Sequence, residues 1–395
     1  MDLKWNQWAL SALFLLAGVA EATVFNVKNY GAHPDGKTDI RKALISAWND
    51  SCESIQPSTV LIPKGTYLLG PVVLKGPCKT PSIEFQVQGL VQAPPDPASF
   101  KTDGWIGFQY IDGLTVSGGG TFDGQGHKAW TINNCAANPH NCRMPPISLR
   151  FDFVNNTMIR DITSLNSKNF HINIFQSNDL TLKNLNILAP GDSANTDGIH
   201  IGDSARIHIT DIVIATGDDC ISIGPGTRNV NVTRVICGPG HGISIGSLGM
   251  YKGEAEVNGV FVKNSTFINT QNGVRIKTWP SSPVGTASNI VFEDLIMNNV
   301  FNPVILDQEY CPHLKCTKHN PSLVKLSNIT INKIRGTSLS QLPVLIACSR
   351  GAPCENVKIG NINLKYNGTE GPAQSTSSNV KPILFGQQIP PFINI

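Results

Sequence analysis

The sequence has 395 residues, of which 15% are charged and 41% hydrophobic, and its formal net charge is +3. This length allows one large domain or two ordinary ones. The small net charge, without a basic run or interleaved aromatic and basic residues, argues against nucleic-acid binding. Abundant Gly and Asn with short bursts of Val and Ile favour many short strands and tight turns over long helices.

The N-terminal segment has the pattern of a secretory signal. Lys4 supplies a positive charge, an apolar stretch runs from Trp8 to Ala20, and Ala20-Glu21-Ala22 fits an A-x-A cleavage site. The apolar stretch is too short to span a bilayer comfortably, and no later segment is better suited. We therefore predict a signal peptide over residues 1–22 and a single secreted domain over 23–395 that is extracellular and not bound to membrane.

The first predicted element of that domain is an amphipathic helix from Thr38 to Trp48. Apolar residues recur there at helical spacing, and Thr38 has the chemistry of an N-cap. We expect this helix to cover the open apolar end of the strand structure that follows it.

Two further features fit secretion. The ten cysteines are even in number, which suggests disulfides in an oxidising compartment. Neighbours in sequence pair most economically, as 52–78, 135–142, 220–237, 311–316 and 348–354, with a zinc site at Cys311 and Cys316 as the alternative. Several of the N-x-S/T sequons are expected to carry glycans; they begin at Asn49, Asn155, Asn231, Asn264, Asn328 and Asn367.

The middle of the chain contains a repeat. The segments 197–202, 219–224 and 241–246 each begin 22 residues after the last, and Ile199, Ile221 and Ile243 share a register. Segment 273–277 fits the same frame with Val274 under Ile243, an interval of 31 residues, and segment 303–307 is expected after another 31. Alternating apolar residues at a period near 22 indicate a solenoid of stacked parallel coils, an all-β parallel β-helix. A β-sandwich is the alternative, but it does not explain the shared register.

This register predicts a cluster of ionisable side chains. Asp197, Asp219 and His241 occupy equivalent positions on successive coils, which lie about 4.8 Å apart, whereas Asp218 is out of phase by one residue. Arg275 falls in register with His200, Ser222 and Ser244, and Lys277 with Gly202, Gly224 and Gly246. Carboxylates this close raise at least one pKa, which suits acid–base chemistry. The alternative is that the Asp218-Asp219 pair simply forms a turn or cap.

Four motifs now resemble a known family. Asn195-Thr-Asp197, Gly217-Asp-Asp-Cys220, Gly240-His-Gly242 and Arg275-Ile-Lys277 are similar, in order and spacing, to the signature motifs of polygalacturonases, the glycoside hydrolases of family twenty-eight. The resemblance extends over nearly all of the mature chain. The segment from Gly240 to Gly249 looks plant-like, and the whole is similar to pollen exopolygalacturonases. It implies a right-handed parallel β-helix, hydrolysis of α-1,4-galacturonide bonds of pectin with inversion, and no metal or other cofactor.

The resemblance also implies catalytic roles. Asp218 matches the general acid that protonates the leaving oxygen. Asp197 and Asp219 match the carboxylates that hold and deprotonate water. His241 matches a histidine that tunes the acid or binds sugar.

For substrate binding, Arg275 and Lys277 match the cations that pair with the galacturonate carboxylate, and Tyr310 resembles a sugar-contacting tyrosine. His171 is expected to be structural, and His200 is left undecided between a structural and a functional role.

The mode of action leaves alternatives open. Exo attack from the non-reducing end by a monomer follows from the pollen-type resemblance, with loops at 248–256 and 279–287 as candidate walls of the cleft. The alternatives are endo attack, a rhamnogalacturonan or xylogalacturonan hydrolase, a calcium-dependent lyase on the same solenoid, and a catalytically silent wall-binding protein.

Overall fold

The structure is a computed structural model that describes residues 22–133, 142–312, 316 and 320–394. The strands of these described residues form one 17-stranded sheet and one 12-stranded sheet, and the paired strands within each sheet run parallel. The architecture is the predicted right-handed parallel β-helix. The β-sandwich alternative is wrong, because sandwiches are built from antiparallel strands. No helix among the described residues is long and apolar enough to cross a membrane.

The strands of the first third of the chain are β1 (Thr23–Asn26), β2 (Asp35–Asp39), β3 (Ser58–Ile62), β4 (Thr66–Leu68), β5 (Val72–Lys75), β6 (Ile83–Val87), β7 (Leu90–Gln92), β8 (Gly104–Gln109), β9 (Leu114–Ser117) and β10 (Thr121–Asp123). Those of the middle are β11 (Ile147–Asp152), β12 (Asn155–Leu165), β13 (Ile172–Phe175), β14 (Asn178–Leu188), β15 (Ile199–Gly202), β16 (Ala205–Ala215), β17 (Ile221–Ile223), β18 (Arg228–Cys237), β19 (Ile243–Leu248), β20 (Val257–Ile268) and β21 (Asn272–Thr278). The last are β22 (Gly285–Val300), β23 (Asn302–Asp307), β24 (Val324–Ser338), β25 (Val344–Ala347), β26 (Glu355–Tyr366), β27 (Ser375–Ser378), β28 (Ile383–Ile389) and β29 (Phe392–Asn394). Two α-helices, α1 (Arg41–Glu53) and α2 (His127–Ile132), and two short 3₁₀ helices, Val27–Tyr30 and Pro97–Ser99, complete the fold.

The core is a column of stacked apolar side chains in the predicted register. Ile199 pairs with Ile221, Ile221 with Ile243, and Ile243 with Val274, and all four are fully buried. Burying such a side chain contributes about 1.5–3 kcal/mol, so the alternating pattern that defined the repeat also supplies its stability. The next pair joins Val274 to Val304, an interval of 30 residues and not the predicted 31.

Each long strand of the 17-stranded sheet, from β12 to β26, bends near its middle at a residue in the left-handed conformation. In β14, β16 and β18 these residues are Asn184, Asp211 and Arg234, with φ between 52° and 57°. Non-glycine residues rarely adopt this conformation, although Asn and Asp tolerate it best. The bends stack on one another, because Arg234 Nε donates to Asp211 Oδ1 at 2.6 Å and Asn184 Nδ2 donates to Asp161 Oδ1 at 2.6 Å. One strand therefore covers two sides of a coil.

Helix α1 covers the first coil, as predicted, with Trp48 buried against it. The predicted start of the helix at Thr38 is wrong, because the helix begins at Arg41. Thr38 lies in β2, where its hydroxyl donates to Asp35 at 2.7 Å and is not free to cap a helix. Asp39 accepts the Arg41 N–H at 2.9 Å instead.

Four of the five predicted disulfides are present, at Cys52–Cys78, Cys220–Cys237, Cys311–Cys316 and Cys348–Cys354. The zinc alternative for Cys311 and Cys316 is therefore wrong. The predicted Cys135–Cys142 pair lies outside the described residues because Cys135 does, and so does the predicted signal peptide up to residue 21.

Candidate active site

The candidate catalytic side chains precede three neighbouring strands of the 12-stranded sheet. Asp197 comes just before β15, Asp218 and Asp219 before β17, and His241 before β19. The backbone hydrogen bonding between neighbouring coils continues from the strands into these turns. Gly198 N–H donates to Asp219 O at 2.9 Å, and His241 N–H donates to Asp218 O at 2.8 Å. The four side chains predicted from the repeat are thus gathered on three adjacent coils.

Gly217 fixes the turn that presents Asp218. A Cβ at this position would lie 2.0 Å from the carbonyl oxygen of Ser193, so only glycine allows the two turns to pack this closely. Gly217 N–H donates to Thr196 Oγ1 at 2.9 Å, and Thr196 is in turn 2.7 Å from Ser193 Oγ. The turns before β15 and β17 therefore form one packed unit, which sets the separation of their carboxylates.

Asp219 is the most heavily bonded of the three carboxylates, and its side chain is 1% exposed. Its Oδ1 accepts from Ser244 Oγ at 2.8 Å and from Arg275 Nη2 at 2.9 Å. Its Oδ2 accepts from Lys277 Nζ at 2.8 Å. Two cationic side chains and one hydroxyl thus converge on this buried carboxylate below the site.

The strand that carries the two cations pairs with β19. Arg275 pairs with Ser244, as predicted. Gly246 lies against Lys277, since a Cβ there would be 2.3 Å from the Lys277 carbonyl oxygen, but the pairing shifts by one residue between Ile245 and Leu248 through a bulge in β19. A bulge bends a strand and redirects its side chains. Both cations nevertheless reach the same carboxylate.

Asp218 and His241 form a second pair, which is open to solvent. His241 Nδ1 lies 3.0 Å from Asp218 Oδ1, and the two side chains are 37% and 26% exposed. Burial acts to raise the pKa of Asp218, but the hydrogen bond and charge of His241, together with the charge of Lys277, outweigh it. The pKa of Asp218 is therefore lowered from its ordinary value.

Asp197 has the opposite electrostatic environment. Burial raises its pKa well above the ordinary value, and the nearby charges of Asp218 and Asp219 raise it further. A hydrogen bond from Ser222 Oγ to Asp197 Oδ2, 2.7 Å long, and the charge of Lys277 partly offset this rise. The two directions favour protonation of Asp197 over protonation of Asp218.

An open cleft of about 640 Å³ lies over these side chains. Asp218, His241 and Arg275 line it directly, whereas Asp197, Asp219 and Lys277 are not among its lining residues. The predicted wall loops at 248–256 and 279–287 contribute no lining residue either, although Tyr310 and Pro312, which follow β23, do line the cleft. The remaining lining residues are Asn133, Met144, Ala194, Asn195, Gly217, Gln271, Tyr310 and Pro312.

Tyr310 is brought to the site as predicted. Its ring centroid lies 5.6 Å from Arg275 Cζ and 5.2 Å from Lys277 Nζ, distances at which a cation interacts with an aromatic face. Trp279 packs edge-on against the same ring, with centroids 5.5 Å apart. Tyr310 therefore forms one wall of the cleft beside both cations.

Some side chains of the candidate site were not identified from the sequence. Ser222 and Ser244 were placed in the row of Arg275 but given no role, although each donates to a carboxylate of the cluster. The sequence feature that could have identified them was their shared register with the charged residue Arg275. Asn195 and Gln271 line the cleft from turns, where Asn is common for conformational reasons, so no sequence signal distinguishes them.

His171 is structural, as expected. It is fully buried, and its Nδ1 lies 2.9 Å from Ser164 Oγ. Burial lowers the pKa of His171 to about 3, so the ring stays neutral within the core.

Asp218, Asp219 and His241 offer ligand atoms within 4.8 Å of one another, a spacing that could hold a metal ion. Both oxygens of Asp219, however, already accept hydrogen bonds from cationic side chains. A divalent ion would have to displace Arg275 and Lys277 or repel them at close range. The donor set therefore fits a metal poorly.

A cluster of carboxylates on the floor of an open cleft, with unequal pKa values, is the kind of acid–base site found in glycoside hydrolases. The comparison with protein families agrees. Residues 52–386 match the model for "Glycosyl hydrolases family 28", and the chain belongs to that family.

Individual relatives are similar over their whole length. The chain is 59% identical to an exopolygalacturonase of Platanus acerifolia, over 94% of this chain and 98% of that protein. It is 49% identical to a polygalacturonase of Gossypium hirsutum, over 99% and 95% of the two chains. Among solved structures, the endo-xylogalacturonan hydrolase from Aspergillus tubingensis superposes with a TM-score of 0.78 at 25% identity, over 93% of this chain and 100% of that one.

Proposed function

We propose that the protein is a polygalacturonase that hydrolyses α-1,4-galacturonide bonds of pectin with inversion at the anomeric carbon. The observation that carries the proposal is the arrangement of charge. Three carboxylates on adjacent coils meet Arg275 and Lys277 beneath a cleft that is open to solvent. Such a floor provides groups that move protons and cations that attract a polymer of uronic acid. The names of the relatives support the same substrate.

Asp218 is the general acid in this proposal. Of the three carboxyls it is the one that lines the cleft, where the leaving glycosidic oxygen would lie. Its proton passes to that oxygen as the bond to the anomeric carbon breaks. Asp197 accepts the proton of the water that attacks the same carbon from the opposite face, which gives inversion.

Asp219 is the anchor of the site. Its oxygens accept bonds from Ser244, Arg275 and Lys277, so little capacity remains for binding water. This divides the water-handling role that the family resemblance gave jointly to Asp197 and Asp219. Asp197, with a single side-chain donor, is the better base, and Asp219 holds the cations in position.

The pKa values of the unliganded site require the proton to move when substrate binds. Without substrate, the pKa of Asp218 is lowered and that of Asp197 is raised. A galacturonate unit would bring a negative charge and displace water, and both effects raise the pKa of a carboxyl. Asp218 faces that unit directly, so its pKa rises most. Binding thereby shifts the proton toward the acid.

Arg275 is the first contact for the substrate carboxylate, because it lines the cleft and presents a planar donor group. Lys277 lies outside the lining and acts mainly through its charge, while Tyr310 offers an aromatic face to the sugar ring beside them. His241 tunes the acid through its hydrogen bond.

The mode of attack is proposed to be exo, from the non-reducing end, with release of galacturonate by a monomer. The exopolygalacturonase of Platanus acerifolia supports this choice. Endo attack and xylogalacturonan as substrate are the competing candidates, the latter because of the similarity to the Aspergillus enzyme. The A-x-A pattern and the disulfides support secretion to the cell wall.

The test is incubation of the purified protein with polygalacturonate. New reducing ends should appear without the ultraviolet absorbance of an unsaturated product, and NMR of the first product should show an inverted anomer. Unsaturated products would identify a lyase. Binding without any new reducing end would identify a wall-binding protein, and cleavage of xylogalacturonan alone would identify the other hydrolase.

A further inference from the structure

His200 is connected to the catalytic cluster through Ser222. Ser222 Oγ donates to Asp197 Oδ2 at 2.7 Å and lies 2.7 Å from His200 Nδ1. A hydroxyl has one hydrogen, and this one is given to Asp197. The Oγ must therefore accept from His200, which fixes a hydrogen on Nδ1 of the imidazole.

The imidazole is held in this orientation by its surroundings. The ring of Phe170 stacks on it, with centroids 4.8 Å apart and an angle of 28° between the planes. Burial, assisted by the charge of Lys277, lowers the pKa of His200 to about 4. Above that pH the ring is neutral, so it donates from Nδ1 and keeps a lone pair on Nε2.

Asp197 depends on the hydrogen bond from Ser222 more than Asp219 depends on any one of its own hydrogen bonds. Among the described residues, Ser222 is the only side chain that donates to the Asp197 carboxylate. Asp219, one coil further on, has three side-chain donors, two of them cations. Loss of a single hydroxyl would thus leave Asp197 buried without a side-chain donor.

We propose that His200 and Ser222 are positioning residues that orient the Asp197 carboxylate and favour its ionised form. His200 Nδ1–H donates to Ser222 Oγ, and Ser222 Oγ–H donates to Asp197 Oδ2. Neither residue exchanges a proton with substrate. The inference rests on the proposed function, in which Asp197 takes the proton of water.

Ser222→Ala removes both hydrogen bonds. A bond to a charged group contributes about 1.5–3 kcal/mol, so kcat on polygalacturonate should fall at least about tenfold, with little change in KM. The acidic limb of the pH–rate profile should move to higher pH. The bond lowers the pKa of Asp197, whereas the other charges that face it, Asp218, Asp219 and Lys277, stay in place.

Ser244→Ala is the matched control. Ser244 pairs with Ser222 on the next coil and donates to Asp219 in place of Asp197. This variant should leave the acidic limb at its wild-type position. Equal movement of the limb in both variants would show that loss of any nearby hydroxyl has this effect, and would overturn the assignment.

Two substitutions of His200 test the other end of the connection. His200→Asn keeps an N–H donor near Nδ1, and His200→Phe keeps a ring against Phe170 without a donor. The Asn variant should retain most of the wild-type kcat and its acidic limb, while the Phe variant should behave like Ser222→Ala. If Phe matches wild type, or if Asn is as impaired as Phe, the inference is wrong.

Thermal unfolding checks that each variant is folded at the assay temperature. His200→Asn and His200→Phe leave Ser222 intact, so these two variants decide the matter if Ser222→Ala does not fold. Failure of the proposed function would look different, because wild-type protein would then release no product from polygalacturonate at any pH.

Discussion

The carboxylate of Asp219 and the ammonium of Lys277 are 2.8 Å apart and nearly buried, although 58 residues separate them along the chain. The pair joins strands that lie two coils apart. It therefore connects the chemistry of the cleft to the stability of the solenoid, which the exposed pair of Asp218 and His241 does not do.

Asp219→Asn should destabilise the protein. Removing one partner of a buried ion pair costs about 3–5 kcal/mol, because the other charge is left uncompensated, and here two cations would be left. Urea unfolding followed by circular dichroism measures the change. Asp218→Asn is the control and should unfold near the wild-type urea concentration. Equal stability of both variants would mean that Asp219 does not hold Arg275 and Lys277 as the structure indicates.

Asp218→Asn should retain the fold and lower kcat on polygalacturonate by about 10²–10⁴-fold, the usual contribution of a general acid. Its KM should change little, because Asn fills the same space. Steady-state kinetics on the folded variant measures both constants. A folded variant with nearly wild-type kcat would remove Asp218 from the role of acid.

Lys277→Met should raise KM for polygalacturonate, because it removes positive charge from beneath the cleft. A fully methyl-esterified pectin, which is neutral, should lose less. The acidic limb of the profile should also move to higher pH, since Lys277 lowers the pKa of Asp197. Equal losses on charged and neutral substrates would argue against recognition of the carboxylate.

His241→Leu should move the basic limb of the pH–rate profile to higher pH. Asp218 must be protonated to act as acid, so activity falls as pH rises through its pKa. The hydrogen bond and charge of His241 lower that pKa, and their removal raises it. The wild-type profile itself should be bell-shaped with an optimum at roughly pH 4–6. A basic limb that stays in place, or moves to lower pH, would contradict this account of His241.

Exo attack should release monogalacturonate from the first minutes while the viscosity of the polymer solution falls slowly. Chromatography of early products and viscometry measure the two quantities on one sample. Rapid loss of viscosity with mixed oligomers as first products would establish endo attack. Shortening the loop at 249–255 should not change the product pattern, because no residue of that loop lines the cleft.

The sequence allowed the register of the coils to be predicted because alternating Ile and Val repeat at a nearly constant interval. From that register followed the grouping of Asp197, Asp219 and His241, and the pairing of Arg275 with Ser244. The bulge beside Leu248 and the true start of α1 were not predictable in this way. Both depend on local backbone hydrogen bonds, as in the capture of Thr38 by Asp35.

The bonding within the site could not be predicted from the register either. The repeat placed Arg275 and Lys277 near the carboxylates but did not show that both bind Asp219. That contact depends on side-chain conformation and burial, which a periodic pattern does not specify. For the same reason, the unequal pKa values of Asp197 and Asp218 became visible only in three dimensions.

The strands that pair between coils and the turns that connect them can change independently, and this affects how such a protein can diversify. The intervals between paired core residues are 22 residues from Ile199 to Ile221 and from Ile221 to Ile243, then 31 to Val274 and 30 to Val304, yet the pairing continues through all of them. Added residues are accommodated in the turns, and the pairing of the strands on neighbouring coils is kept. Because the longer turns that follow β19 and β21 do not line the cleft, mutation can lengthen such turns without moving the carboxylates of the candidate site.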